Sequence, residues 1–300
     1  MDRIIYLAAY PLLWTLARLP FGVFYKVSDG VFWLVYHVVR YRRKTVQQNL
    51  ELVFPQRSQE ERARIERDFY QHMVDMFLEM IKSLHMSDSE LNARFKFTNF
   101  EELREIGQSG KGVLLACGHY ASYEWVSALQ LHEHPFTSFG VYKKIKNRYF
   151  DQLVRSIRQR YDTQVISSAE AVRVIARNQR SGLQGIYAMV ADQSPKLKGA
   201  NFWTEFMGIR VPVFVGTETL ARKYDMAVVY LNVEKVKRGH YLATFKTITT
   251  QPKEETPHGI TRRYFDLLEN QIRKDPAYYL WTHKRWKHRE APLPERAITF

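Results

Sequence analysis

From about residue 95 onward short apolar runs alternate with stretches whose apolar residues return at helical spacing. Strands are predicted at 112–117, 136–142, 164–167, 185–191, 226–236 and 241–248, and helices near 121–131, 148–160, 169–180, 213–224 and 259–274. Strands alternating with helices bury their apolar runs under those helices, so the pattern predicts an α/β fold with an open mixed sheet flanked by helices. Ahead of it, Ser58 and Glu61 have the spacing of a capping box. Ile65, Phe69, Met73, Met76, Phe77, Met80 and Leu84 then recur as one face of a long amphipathic helix. No internal repeat, low-complexity tract or linker interrupts the sequence. The expected division is one catalytic-type domain over 46–300, preceded by an apolar and basic, helical, membrane-associated segment over 1–45.

That N-terminal segment stands apart in composition. Between Ile4 and Leu19 only Arg18 is charged, and after a break at "PFG" a second apolar run, Val31 to Val39, ends in "RYRRK". Neither run is a clean span: the first is short of the roughly 20 apolar residues required and carries Pro11, and the second is shorter still. One tilted helix, a shallow hairpin and an in-plane anchor all fit. No small-x-small site follows the first run, which argues against a cleaved signal peptide. Trp14, Trp33, several tyrosines and the basic cluster from Arg40 to Lys44 are residues that seat a segment at a bilayer interface. Attachment to a membrane surface is therefore expected over a buried helical subdomain, with the following domain on the cytoplasmic side.

A formal net charge of +14 calls for an anionic partner: nucleic acid, an anionic membrane or an acidic protein. The strongest basic runs flank apolar and Trp-rich stretches rather than forming one stripe, and no reading motif occurs, which argues against nucleic acid. The single cysteine, Cys117, excludes an internal disulfide and any cysteine-cluster metal site, and its apolar strand context favours packing over nucleophilic chemistry. No His-x3-His pair lies in a helix beside a glutamate, so no zinc site is expected; "HEH" at 132–134 reads as a surface loop.

The stretch "LLACGHYASYEW", residues 114–125, places His119 just past an apolar strand, with Glu124 five positions later. With 10 His and 31 acidic residues in 300, roughly one such spacing is expected from composition alone. His85 with Glu90 is a second match. On a continuous helix a five-residue step turns about 500°, leaving the side chains roughly 140° apart, so a working pair needs a strand-to-helix turn. "GVLLACG" offers one: Val113 to Cys117 as strand, Gly118 as a position for unusual backbone angles, and a helix from Ala121 to Leu131 whose first turn lets Glu124 fold back toward His119. His85, at the end of an amphipathic helix before "SDSE", has no such frame and reads as a helix-end histidine.

Three more stretches carry candidate chemistry. "MVADQSP" ends a strand in Asp192 and Gln193, where open α/β sheets bind ligands, although an Asp before Pro195 also suits a plain turn. "NFWTEFMGIRVP" is too apolar for a solvated connector and reads equally as the wall of a greasy substrate channel or as core. "YLWTHKRWKHRE" interleaves Trp281 and Trp286 with His283, Lys284, Arg285, Lys287 and Arg289, a mixture suited to phosphate or a bilayer interface, with a solvated tail as its rival.

In order along the chain, "RRKTVQQNLELVFP", "GHYASYE", "VYKKIKNRYFD" with "IRQR", "ADQ", "FMGIRVPVFVGTETLARK" and "YLWTHKRWK" resemble the lipid A biosynthesis lauroyl/myristoyl acyltransferase family, a lysophospholipid-acyltransferase-like group. The resemblance covers most of the chain and implies a glycerolipid acyltransferase-like sheet at the inner membrane. It implies His119 and Glu124 as the catalytic pair, Arg158, Asp192, Gln193 and Lys143 in the substrate site, and a C-terminal block that closes the fold. Many relatives carry Arg near Lys143 and a second acid where Ser194 stands, so this chain departs from the pattern at both positions. The implied donor is an acyl-carrier-protein thioester and the implied acceptor a phosphorylated lipid A precursor; both are anionic, in keeping with the positive charge. No cofactor or metal is implied. A neutral imidazole is the side chain suited to taking the acceptor's hydroxyl proton near pH 7, with a carboxylate holding its tautomer and no covalent enzyme intermediate. The alternatives are another lipid acceptor, aminolipid or phospholipid, and a non-catalytic basic protein that binds anionic lipid.

Overall fold

The computed structural model describes residues 2–294 and 298–299; Met1 of the expected N-terminal segment, and residues 295–297 and 300 of the expected domain, lie outside the described residues. Four α-helices come first, α1 (Asp2–Arg18), α2 (Phe21–Trp33), α3 (Arg43–Val53) and α4 (Gln59–Lys82), with a π-helical segment (Leu34–Val39) continuing α2. The capping box of α4 forms as predicted, with Ser58 Oγ accepting from the Glu61 amide at 3.2 Å and the Glu61 carboxylate accepting from the Ser58 amide at 2.7 Å. Two orphan donors at the helix start are thereby satisfied.

The N-terminal helices fold back onto α4. Lys82 Nζ donates to the carbonyls of Ala17 and Leu19 at 2.9 and 2.7 Å, fixing the break between α1 and α2. Ser28 Oγ donates to Asp75 at 2.6 Å, and Arg238 joins Asp75 and Asp29. Tyr6, Tyr10, Leu13 and Ala17, at i, i+4, i+7 and i+11, form the packed face of α1. The outer face of α1 is apolar as well, with Ile4 and Leu12 more than 70% exposed, and so is the end of α2 with the segment after it, where Trp33, Val38 and Val39 are nearly 60% exposed. Among the described residues no helix is long and apolar enough to cross a membrane.

The rest of the chain follows the predicted alternation. After α5 (Asp88–Arg94) come β1 (Phe95–Thr98), α6 (Phe100–Gln108), β2 (Val113–Cys117), a 3₁₀ helix (Tyr123–Leu131), β3 (Thr137–Tyr142), α7 (Arg148–Gln159), β4 (Gln164–Ser167), α8 (Ala171–Arg180) and β5 (Gly185–Val190). A hairpin of β6 (Phe202–Phe206) and β7 (Ile209–Pro212) leads to α9 (Gly216–Tyr224), β8 (Ala227–Lys237), β9 (His240–Thr249), α10 (Gly259–Lys274) and β10 (Ile298–Thr299). Seven strands form one sheet in the order β1-β9-β8-β2-β5-β3-β4. From β8 to β4 all neighbours are parallel, β9 is antiparallel to β8, and β1 is parallel to β9, so the sheet is open and mixed.

Two local expectations change. "NFWTEFMGIRVP" is a hairpin whose two-residue turn, Met207 and Gly208, has φ of 58° and 77°, the backbone such a turn requires. Its Phe202, Trp203 and Phe206 are buried core, which removes the channel-wall reading. The helix expected over 121–131 is a 3₁₀ helix entered through Ala121, which has a left-handed φ of 48°.

Candidate active site

β2 and β5 are parallel neighbours with Cys117 opposite Val190. Two residues beyond each strand stand His119 and Asp192, so the register itself brings them face to face at the carboxyl edge of the sheet, where α/β folds bind ligands. His119 Nδ1 lies 2.7 Å from Asp192 Oδ1, and the other Asp192 oxygen accepts from the His119 amide at 3.3 Å. Since the carboxylate accepts, Nδ1 carries the proton and Nε2 offers its lone pair; the Gln193 amide nitrogen sits 3.3 Å from it. Burial disfavours a charged ring, but the Asp192 charge and hydrogen bond, with a contribution from Glu124, outweigh it and hold the His119 pKa above its ordinary value. Burial likewise opposes charge on Asp192, yet His119 and backbone donors bring its pKa below the usual range.

The partner of His119 thus differs from the sequence expectation. Glu124 points to Arg158 of α7, accepting from Nε at 3.0 Å and from Nη2 at 2.7 Å, while its side chain is nearly buried. The reason is the turn: the left-handed Ala121 and the tight 3₁₀ winding from Tyr123 replace the α-helical first turn that would have carried Glu124 back to the ring. Gly118 is not left-handed; a Cβ there would come within 2.5 Å of Leu268, so its lack of a side chain allows α10 to approach. The segment 119–121 is then clamped by the C-terminal block, with Leu280 N donating to the His119 carbonyl at 3.1 Å and Ala121 N to the Tyr278 carbonyl at 2.9 Å.

An open cavity of about 630 Å³ begins at His119. Leu115, Val126, Phe139, Ile186, Met189 and Phe214 supply apolar wall, and Glu124, Arg158, Gln193 and Lys143 supply polar lining. Asp192 does not line it: almost fully buried, it acts on the cavity only through His119. Lys143 is exposed at the edge. Burial, with Asp192 and Glu124 nearby, pushes the Cys117 thiol up to about 12, leaving it no thiolate at neutral pH.

Sequence reasoning missed Tyr123, whose ring stands edge-on to His119 at 5.1 Å, and singled out His283 only as part of an anion- or interface-binding mixture, whereas its Nε2 accepts from the Ser194 amide at 3.1 Å. Burial lowers the His283 pKa to about 4, so it is a neutral acceptor that holds the 192–194 turn. Ser194 Oγ donates to the Arg285 carbonyl at 2.6 Å, a structural contact that ties the 192–194 turn to the C-terminal block. Trp281 and Trp286 are fully buried core, so only the exposed cations of that block suit an anion or an interface. The decoy His85 contacts Arg18 Nη1 at 2.9 Å, and Glu90 lies in α5, its amide donating to Ser87.

A histidine–carboxylate pair at the carboxyl edge of an α/β sheet, beside an apolar cavity and with the adjacent thiol silenced, has the make-up of an acyltransferase centre. The family model for the bacterial lipid A biosynthesis acyltransferase matches residues 2–288. Known relatives include the lipid A biosynthesis lauroyltransferase of Escherichia coli K12, 23% identical over 287 residues with 95% of this chain and 92% of that protein covered. The lipid A biosynthesis palmitoleoyltransferase of the same organism is 23% identical, covering 95% and 91%. A lipid A biosynthesis acyltransferase of Haemophilus influenzae is 24% identical, covering 90% and 86%. The chain belongs to the bacterial lipid A biosynthesis acyltransferase family and is an acyltransferase of that type.

Proposed function

We propose that this enzyme moves a fatty acyl chain from an acyl-carrier-protein thioester to a hydroxyl of a phosphorylated lipid A precursor, with His119 as general base. The observation that carries the reading is the 2.7 Å contact of His119 Nδ1 with the Asp192 carboxylate: it commits Nδ1 as donor and leaves Nε2 as the basic atom of a ring that lines the cavity. The acceptor hydroxyl takes the place of the Gln193 amide at Nε2 and gives up its proton there as its oxygen attacks the thioester carbonyl. Asp192 stabilises the imidazolium. The tetrahedral intermediate collapses, the thiolate leaves, and Nε2–H returns the proton to it. The acyl group passes directly to the acceptor, and neither metal nor cofactor takes part. Glu124 contributes by fixing Arg158 in the cavity lining and by adding negative potential at the ring.

The exposed cations Lys143, Lys144, Lys146 and Arg148 beside the cavity suit an acidic carrier protein delivering the thioester. The apolar outer face of the N-terminal helices suits an in-plane seat on the cytoplasmic face of the inner membrane, and the 17-residue α1, about 26 Å long, is short for a ~30 Å hydrocarbon core. Incubating the purified protein with acyl-carrier-protein thioester and a phosphorylated lipid A precursor tests the reading by mass spectrometry. A product heavier by one acyl group supports it; donor hydrolysis alone, with the acceptor unchanged, refutes it.

A further inference from the structure

A second cleft, of about 480 Å³, opens between α3 and the C-terminal block. Gln48 and Leu52 of α3 form one side, and the buried Asn49 and Trp286 lie within it. Lys284, Lys287 and Arg289 supply three cations to the lining against one carboxylate, Glu51. The frame beneath them is fixed. Asn49 Nδ2 donates to the carbonyls of Trp281 and His283 at 2.8 and 2.9 Å, Arg42 donates to the Thr282 carbonyl at 3.2 Å, and Trp286 Nε1 donates to the Phe206 carbonyl at 3.2 Å. Arg289 pairs with Glu290 at 2.7 Å, whereas no ion pair of Lys284 or Lys287 occurs among the described residues. The two lysines are therefore exposed charges on a rigid support, which lowers the ordering cost of holding an anion.

Two neighbours indicate what that anion belongs to. The exposed apolar Val38, Val39 and Tyr41 directly precede α3, so under the membrane-seated reading proposed above the cleft neighbours the interface, where anionic headgroups gather. On its other side, Lys284 follows His283, which holds the turn carrying Gln193 beside His119. The cleft is also a poor seat for a folded carrier protein: a helix with its side chains is about 10–12 Å across, more than a concavity of this volume takes in.

We infer that this cleft binds the phosphate-bearing headgroup of the lipid acceptor, through Lys284 and Lys287, while the acceptor's hydroxyl reaches His119. The inference rests on the acyl-transfer reading for the hydroxyl's destination, but the binding it asserts is measurable without turnover. The test uses the full-length K284A/K287A protein, with K253A as a control at an exposed lysine remote in sequence from the cleft. Co-sedimentation is measured with phosphatidylcholine vesicles containing either the phosphorylated precursor, its dephosphorylated form or phosphatidylglycerol. Affinity for the phosphorylated vesicles should fall about tenfold or more in the double variant, the worth of one or two charge-assisted contacts, and change little on the other two. Inorganic phosphate at matched concentration should not release the wild-type protein. In the transfer assay, acceptor KM should rise by a similar factor while kcat stays within about twofold. Unchanged affinity for phosphorylated vesicles, an equal fall on phosphatidylglycerol, release by inorganic phosphate, or a rise in donor KM in place of acceptor KM would each overturn the assignment. Absence of transfer in the wild type would remove the acyl-transfer reading and leave the vesicle result to decide the cleft.

Discussion

Asp192→Asn removes one charge from behind His119 and changes almost no volume. The bond it disturbs is 2.7 Å long and its carboxylate is almost fully buried, so water cannot substitute for it. An amide there can turn its NH2 toward Nδ1, which drives the ring proton to Nε2 and removes the lone pair that accepts the substrate's proton. The equivalent change in a serine-hydrolase triad costs about 10⁴ in kcat, and a fall of about 10³ to 10⁴ is expected here, equivalent to about 4–5.5 kcal/mol of barrier. The residual activity should also titrate differently. A general base works deprotonated, so kcat/KM falls as pH drops through the His119 pKa, which Asp192 holds above the ordinary histidine value. With that charge gone, burial remains and lowers the pKa, so the acid limb should move to lower pH. The assay is initial acyl transfer from a radiolabelled carrier-protein thioester over pH 5–9, with circular dichroism to confirm folding. A variant that keeps more than about a tenth of wild-type activity, with its acid limb in place, would refute the assignment of Asp192 as the partner of the base.

Two further outcomes follow from the same geometry. Glu124→Gln leaves the Arg158 guanidinium without its bidentate partner in a mostly buried setting, so it should lower stability by about 3 kcal/mol in urea melts and reduce transfer. Leu12→Asp with Val38→Asp, both on exposed faces, should cut association with liposomes by about tenfold or more while leaving the melting temperature nearly unchanged, whereas buried-subdomain packing would lower it instead.

The succession of strands and helices along the chain was legible because the central strands β2, β5 and β8 carry unbroken apolar runs and the helices between strands carry apolar stripes; the boundaries of α10 fall at the predicted residues. β1 and the β6–β7 hairpin were not, because a four-residue "FKFT" and a pair of strands around a Met-Gly turn give too few residues for periodicity to register. The placement of His119 just past a buried strand was legible from "GVLLACG". The partner of its ring was not, because the 119–192 contact depends on β5 being inserted beside β2, a matter of strand order that local spacing does not encode. The His-x4-Glu spacing reflects a different contact, since Glu124 serves Arg158, and the rule that ligands gather at strand ends identified Asp192 without its role. The aromatic and basic residues of the C-terminal block could not be sorted by sequence, since Arg285 is buried against Phe206 of the hairpin and Phe265 of α10, Trp286 against Phe206, and Trp281 against Phe54, all outside the block.

The central claim, that His119 is the base for acyl transfer to a lipid A precursor, is tested most directly by comparing His119→Ala with His85→Ala in one assay. The assay is mass-spectrometric detection of acylated precursor made from the carrier-protein thioester. His119→Ala should lose about 10² to 10⁴ of the turnover with folding and liposome binding intact, and His85→Ala, whose ring contacts Arg18 far along the chain from the cavity residues, should keep it. Full transfer by His119→Ala, equal to that of His85→Ala, would contradict the account.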